Sequence, residues 1–80
     1  MLDQEVLELI SKEAMQQYEI VRKSGICNMF DMTCVARLCS ALEFQDLLEI
    51  TEDRKGYFTL LMNFSDLMKH YRITQNQVIW

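Results

Sequence analysis

The chain has 80 residues, half of them hydrophobic and a quarter charged, which is room for one domain near the lower limit of what folds unaided. Twelve acids against eight bases leave a net charge of −4. Direct nucleic-acid binding, which needs a basic surface to displace counterions, is therefore disfavoured, and no acidic block of the kind a nucleic-acid mimic needs is present.

The N-terminal stretch "MLDQEVLELISKE" carries acids from Asp3 onward and no uninterrupted apolar run, unlike a signal peptide. No segment reaches the length of a membrane span. Three cysteines are an odd number, so with no export signal reduced thiols in a cytoplasm are expected. No proline and only two glycines, Gly25 and Gly56, favour helices joined by short connections.

The first segment reads as one long helix. Leu7, Ile10, Ala14, Tyr18 and Val21 recur at steps of three or four and make an apolar stripe, widened by Val6 and Met15. Asp3 is placed to cap its start, with Leu2 and Leu7 at staple spacing. Arg22 and Lys23 suit its negative end, and Gly25 suits the left-handed residue that stops it.

A second, shorter helix starts at the N-cap Asp31 and ends near Glu43, with Val35, Leu38 and Leu42 as its stripe and Ala36, Ser40 and Ala41 allowing close approach. Phe30 and Val35 again have staple spacing. The turn between the two helices, Gly25, Asn28, Met29, Phe30 and Asp31, is unusually apolar for a surface connection. A structural turn is the favoured reading, with Phe30 as staple, Ile26 and Met29 filling the wedge and Asn28 satisfying local donors. A binding loop is the other.

Phe44, Leu47, Leu48 and Ile50 suit a third helix. After the polar "TEDRKG", Thr51 is a possible cap, and Gly56 weakens any helix it enters by about 1 kcal/mol relative to alanine. The apolar run "YFTLLMNF" is helix or buried strand by periodicity alone. Helix is favoured, because Tyr57, Leu61, Phe64 and Met68 prolong the stripe. The expected architecture is all-α, a small bundle of three to four helices over residues 1–80. Residues 72–80 form a flexible tail in this reading. The alternative is α+β, with residues 57–62 pairing with the tail "NQVIW" as a short C-terminal hairpin.

Catalytic residues are not apparent. His70 is the single histidine, the possible nucleophiles Cys27, Cys34 and Cys39 have no glycine turn beside them, and no phosphate-cradling loop exists. The chain therefore reads as a non-enzyme without a cofactor. A zinc clip from Cys27, Cys34, Cys39 and His70 has the right ligand types, but Cys34 and Cys39 lie about 140° apart on a helix and there is no C-x2-C knuckle. Six methionines and eight aromatic residues point toward protein contact, a use both side-chain types share at interfaces. Val78, Ile79 and Trp80 form the clearest apolar segment, either packed on the fold or inserted into a partner.

The stretch "YEIVRKSGICNMFD" followed by "EDRKGY" resembles a family of very short phage and prophage proteins of Firmicutes, a domain of unknown function. The residues that carry the likeness are Arg22, Ser24, Gly25, Asn28, Met29, Phe30 and Asp31, then Glu52, Arg54, Lys55 and Tyr57. Cys27, Gly56 and the tail beyond Phe64 depart from it. The resemblance implies a small helical protein of a mobile element, acting in a bacterial cytoplasm, with no catalytic residues to carry over.

A small, acidic protein of this type is expected to bind a host protein stoichiometrically, most specifically as an anti-CRISPR or other anti-defence inhibitor of a host nuclease. Glu43, Asp46, Glu49, Glu52 and Asp53 would face the target's basic groove, with Glu49, Glu52, Asp53, Val78, Ile79 and Trp80 as the contact set. The alternatives are a self-associating homodimer of structural or housekeeping type and a zinc-clipped interaction module.

Overall fold

A serine breaks the first helix in two. In the computed structural model, which describes residues 2–73, α1 spans Gln4–Leu9 and α2 spans Lys12–Ser24. Ile10 and Ser11 between them are extended. The Ser11 hydroxyl accepts the Ala14 amide at 3.1 Å, a cap that stabilises a helix start by about 1 kcal/mol. Ile10 and Met15 occupy the two staple positions around that cap, and both are fully buried. Asp3, by contrast, makes no side-chain cap bond. The expected stripe survives in α2, where Ala14, Tyr18 and Val21 are buried. Gly25 adopts φ +70° and ends it, a conformation that costs glycine little.

Four more helices follow: α3 Met32–Leu42, α4 Gln45–Thr51, α5 Arg54–Met62 and α6 Phe64–His70. Asp31 caps α3 as expected, its Oδ1 accepting the Cys34 amide at 3.2 Å. Glu43 ends α3 in the left-handed region at φ 59°, where the amide of Phe44 reaches back to the Cys39 carbonyl at 2.8 Å. The start of α4 is completed from outside. The Leu47 amide donates to Oε1 of Gln17 on α2 at 2.9 Å, and Gln17 Nε2 donates to Asp46 at 3.3 Å.

Asp53, not Thr51, caps α5, through its Oδ1 on the Lys55 amide at 3.1 Å. The Thr51 hydroxyl donates instead to the Leu48 carbonyl. Asn63 interrupts the last apolar stripe, ending α5 and opening α6 while its side-chain amide donates to the Thr59 carbonyl at 2.9 Å.

The expectation of three to four helices is therefore overturned: the described residues hold six helices and no strand. The excess comes from Ser11 and Asn63, two small polar residues that break long apolar stripes without a glycine or proline. The hairpin alternative fails on its first strand, because residues 57–62 lie in α5. Its second, in "NQVIW", lies outside the described residues. Arg72 adopts φ 58°, and the Ile73 amide bonds the Met68 carbonyl at 2.9 Å, which closes α6; the rest of the expected tail, residues 74–80, lies outside the described residues.

The core is one cluster built from all six helices and the Ile10 bend: Ile10, Met15, Tyr18, Val21, Val35, Cys39, Leu47, Tyr57, Leu60 and Leu67 sit at its centre, and Val6 and Leu7 of α1 pack against it. Tyr18 holds Phe64 at 5.2 Å and Tyr57 at 6.4 Å between ring centroids. Arg22 donates to the buried Glu19 through Nε and Nη2 and lies 5.7 Å from the Phe64 ring centroid. Tyr71 donates to the Ile10 carbonyl at 2.7 Å, tying the end of α6 to the bend after α1.

Candidate functional site

The turn that opens α3 builds one wall of a groove. Its backbone is fixed locally: Asn28 Oδ1 accepts the Phe30 amide at 2.9 Å, and the Asn28 carbonyl accepts the Asp31 amide at 2.8 Å. It is fixed at long range by Tyr57, whose hydroxyl donates to the Met29 carbonyl at 2.7 Å. Tyr57 itself is 1% exposed. Burial pushes its phenol well above the ordinary value, with Tyr18 and Cys39 adding to the effect, so the hydroxyl remains a donor across the neutral range.

Held this way, Phe30 points outward and is 81% exposed. The expected staple with Val35 does not form a covered contact, because the turn is anchored through Met29 and Asp31 and the Phe30 ring is left free. Ile26 is likewise exposed and does not fill the wedge. Met29, half-buried, does pack against the core. Asn28, Met29 and Asp31 thus serve the turn, while the Phe30 ring is left on the surface.

The groove has a volume of about 380 Å³ and runs between the start of α3 and α5, with Phe30, Met32, Phe58 and Leu61 giving its apolar character and Asp31, Thr33 and Arg54 its polar edge. Tyr57 forms part of its floor. Phe58 and Met62 lie four residues apart on α5, hence on one face, and both are exposed. Sequence reasoning did not single out Phe58 and Met62 as surface residues. The available signal was the position of Phe58, which falls off the stripe of Tyr57, Leu61, Phe64 and Met68.

Glu43, Asp46, Glu49, Glu52 and Asp53 are all exposed. They run along α4 and its flanks and lead directly into Arg54 at the groove edge. Two have local duties: Asp53 caps α5, and Asp46 accepts from Gln17. Glu49 is within 3.5 Å of Gln45 Nε2. Val78, Ile79 and Trp80 lie outside the described residues.

The four candidate metal ligands are not brought together. Cys27 and Cys34 are joined by a disulfide across the turn, against the expectation of reduced thiols. Cys39 is in the core, where burial pushes its thiol up to about 11. His70 is exposed and stacks edge-on to Tyr71 at 4.9 Å. Among the described residues no three histidine, cysteine or acidic side chains form a cluster suited to a metal ion, and no helix is long and apolar enough to cross a membrane.

A family profile described as "Domain of unknown function (DUF5049)" matches residues 10–63. That span runs from the Ile10 bend to Asn63 and includes the whole groove and the acidic stretch. Curated proteins give no match and solved structures give none.

Proposed function

We propose that this chain, which belongs to the DUF5049 family, works by stoichiometric binding to another protein, with the groove between Phe30 and Phe58 as its contact surface. One observation carries the reading. Phe30, Phe58 and Met62 are 81%, 60% and 73% exposed, and the two phenylalanines line the same concave surface. Single exposed apolar residues are ordinary, whereas a grouped aromatic patch with a polar rim is the usual form of a protein-contact site.

The specific form of the proposal is an anti-defence inhibitor of phage or prophage origin, the origin implied by the resemblance of the Arg22–Asp31 turn. Its target is a host nuclease of the CRISPR type or a similar defence enzyme. Binding rather than catalysis is the mode of action. The five acids from Glu43 to Asp53 would steer the chain to a basic nucleic-acid channel, where complementary charge speeds association, and the aromatic groove would hold the complex once formed. The bacterial cytoplasm is the compartment this reading requires.

The test is capture of a host protein by the full-length chain from lysate of its natural host, followed by titration of the purified pair. A one-to-one complex with a host nuclease is expected. Phe30→Ser combined with Phe58→Ser, both on exposed positions, should weaken it by roughly a hundredfold or more while melting like the parent. Glu49→Lys with Glu52→Lys should slow association, steeply so at low salt. Undiminished affinity in the double phenylalanine variant would remove the groove from the interface, and unaltered association in the lysine variant would remove the steering role. A second reading, self-association, draws on the same patch, which two copies could bury symmetrically. Light scattering that finds only monomer at high concentration eliminates it.

A further inference from the structure

We propose that the Cys27–Cys34 disulfide is a thiol-responsive latch on the Phe30 wall of the groove, closed when oxidised and loosened when reduced. The bond joins residues seven apart, with Cα atoms 5.8 Å from each other. The segment it closes contains Asn28, Met29, Phe30 and Asp31, the whole turn that presents the exposed ring. Little burial holds that turn in place. Asn28, Phe30 and Asp31 are exposed, and Met29 is half-buried. Beyond its local hydrogen bonds, the turn is tied to the body of the fold by the Tyr57 bond to the Met29 carbonyl and by packing of Cys27 and Met29 against the core. A covalent closure across so small a loop is thus a main restraint on where Phe30 sits.

The two sulfurs suit a reversible role. Cys27 and Cys34 are both partly exposed, so a small thiol can reach them. Cys39, the remaining cysteine, is fully buried and does not offer a third thiol for exchange. The chemistry needs a low-molecular-weight thiol of the glutathione class. Its thiolate attacks one sulfur, the Cys27–Cys34 bond breaks, and the other cysteine departs as a thiolate that takes up a proton. A second thiol attacks the mixed disulfide and releases the remaining cysteine. Two electrons and two protons pass to the protein, and the reductant leaves as its own disulfide.

This inference rests on the groove reading for its consequence, but its test needs no partner. The wild-type chain is equilibrated across a series of reduced-to-oxidised glutathione ratios, and intact mass and amide hydrogen exchange are read at each. Oxidation should remove two hydrogens from the chain and slow exchange at Asn28–Asp31 by roughly tenfold, with α2 little changed. A Cys34→Ser variant, which keeps the backbone amide that Asp31 caps, should exchange like the reduced protein. Failure of the chain to lose two hydrogens at any ratio overturns the proposal. So does exchange at Asn28–Asp31 that is the same in both states, or a Cys34→Ser variant that exchanges like the oxidised chain. The groove reading fails separately, through undiminished partner affinity in the Phe30→Ser and Phe58→Ser double variant.

Discussion

Replacing Tyr57 by phenylalanine removes one oxygen and tests whether the core positions the turn. The Tyr57 ring is 1% exposed and its hydroxyl donates to the Met29 carbonyl across 28 residues at 2.7 Å. Phenylalanine keeps the ring and opens almost no cavity, so the loss is that of the hydrogen bond. A neutral bond of this kind contributes about 0.5–1.5 kcal/mol net, and an acceptor left dry costs more. Met29 is half-buried, so water can partly replace the hydroxyl, and the expected loss is about 1–1.5 kcal/mol. In a domain of this size that lowers Tm by roughly 5–10 °C. Urea melts followed by circular dichroism should show the midpoint fall with an unchanged slope. Hydrogen exchange should rise most at Asn28–Asp31. Tyr71→Phe is the comparison, since its hydroxyl bonds the Ile10 carbonyl at the same 2.7 Å. It should cost a similar amount without loosening the turn. A Tyr57→Phe loss below about 0.3 kcal/mol, with exchange at the turn unaltered, would refute the account.

Glu43→Gly should stabilise the fold by about 1 kcal/mol, because Glu43 sits at φ 59° with a Cβ that disfavours that conformation; a thermal melt reads the gain. Gln17→Ala should destabilise by about 1 kcal/mol through loss of the cap on the Leu47 amide, and exchange at the start of α4 should rise before that of α3. Stability should fall in alkali. Cys39 and Tyr57 both have raised pKa values in the fold, from ordinary values of 9.0 and 10.0, mainly by burial. Their neutral forms are thus favoured by folding, so their contributions are intact below pH 9 and 10 and are lost as pH rises, that of Cys39 through about 11. Urea midpoints from pH 8 to 11 check this, and Cys39→Ala should flatten the first part of the decline.

Much of the helical content was legible because caps and stripes are local. Asp31, Gly25 and the stripe of Ala14, Tyr18 and Val21 do what their spacing says. The number of helices was not legible. Ser11 lacks the glutamate three residues on that would complete a capping box, since Ala14 stands there, and so it reads as an ordinary helix residue. Gln17 is also silent in sequence, because the amide it caps lies 30 residues away. The same limit applied at the turn. Staple spacing identified Phe30 as a residue that could fold inward, but the choice was made by Tyr57 reaching the neighbouring carbonyl, a contact spanning 28 residues. The groove could not be seen until α5 was known to lie beside the start of α3, although the off-stripe position of Phe58 hinted at it.

The placement of Phe30 bears on what the chain is built to do. A domain of 80 residues has little core to spare, and burying a phenylalanine is worth roughly 1.5–3 kcal/mol. The fold nevertheless leaves Phe30 and Phe58 in solvent, and it spends a buried tyrosine hydroxyl, a helix cap and a disulfide on the segment that carries one of them. Those restraints stabilise the turn and, in doing so, fix the position of an exposed ring. Fixing it beforehand lowers the ordering cost when another surface covers it. A serine at Phe30 would melt nearly like the parent if the ring serves only contact, because an 81% exposed side chain adds little to stability. The restraints around it support the fold and, on the proposed reading, would also preorganise the ring for binding.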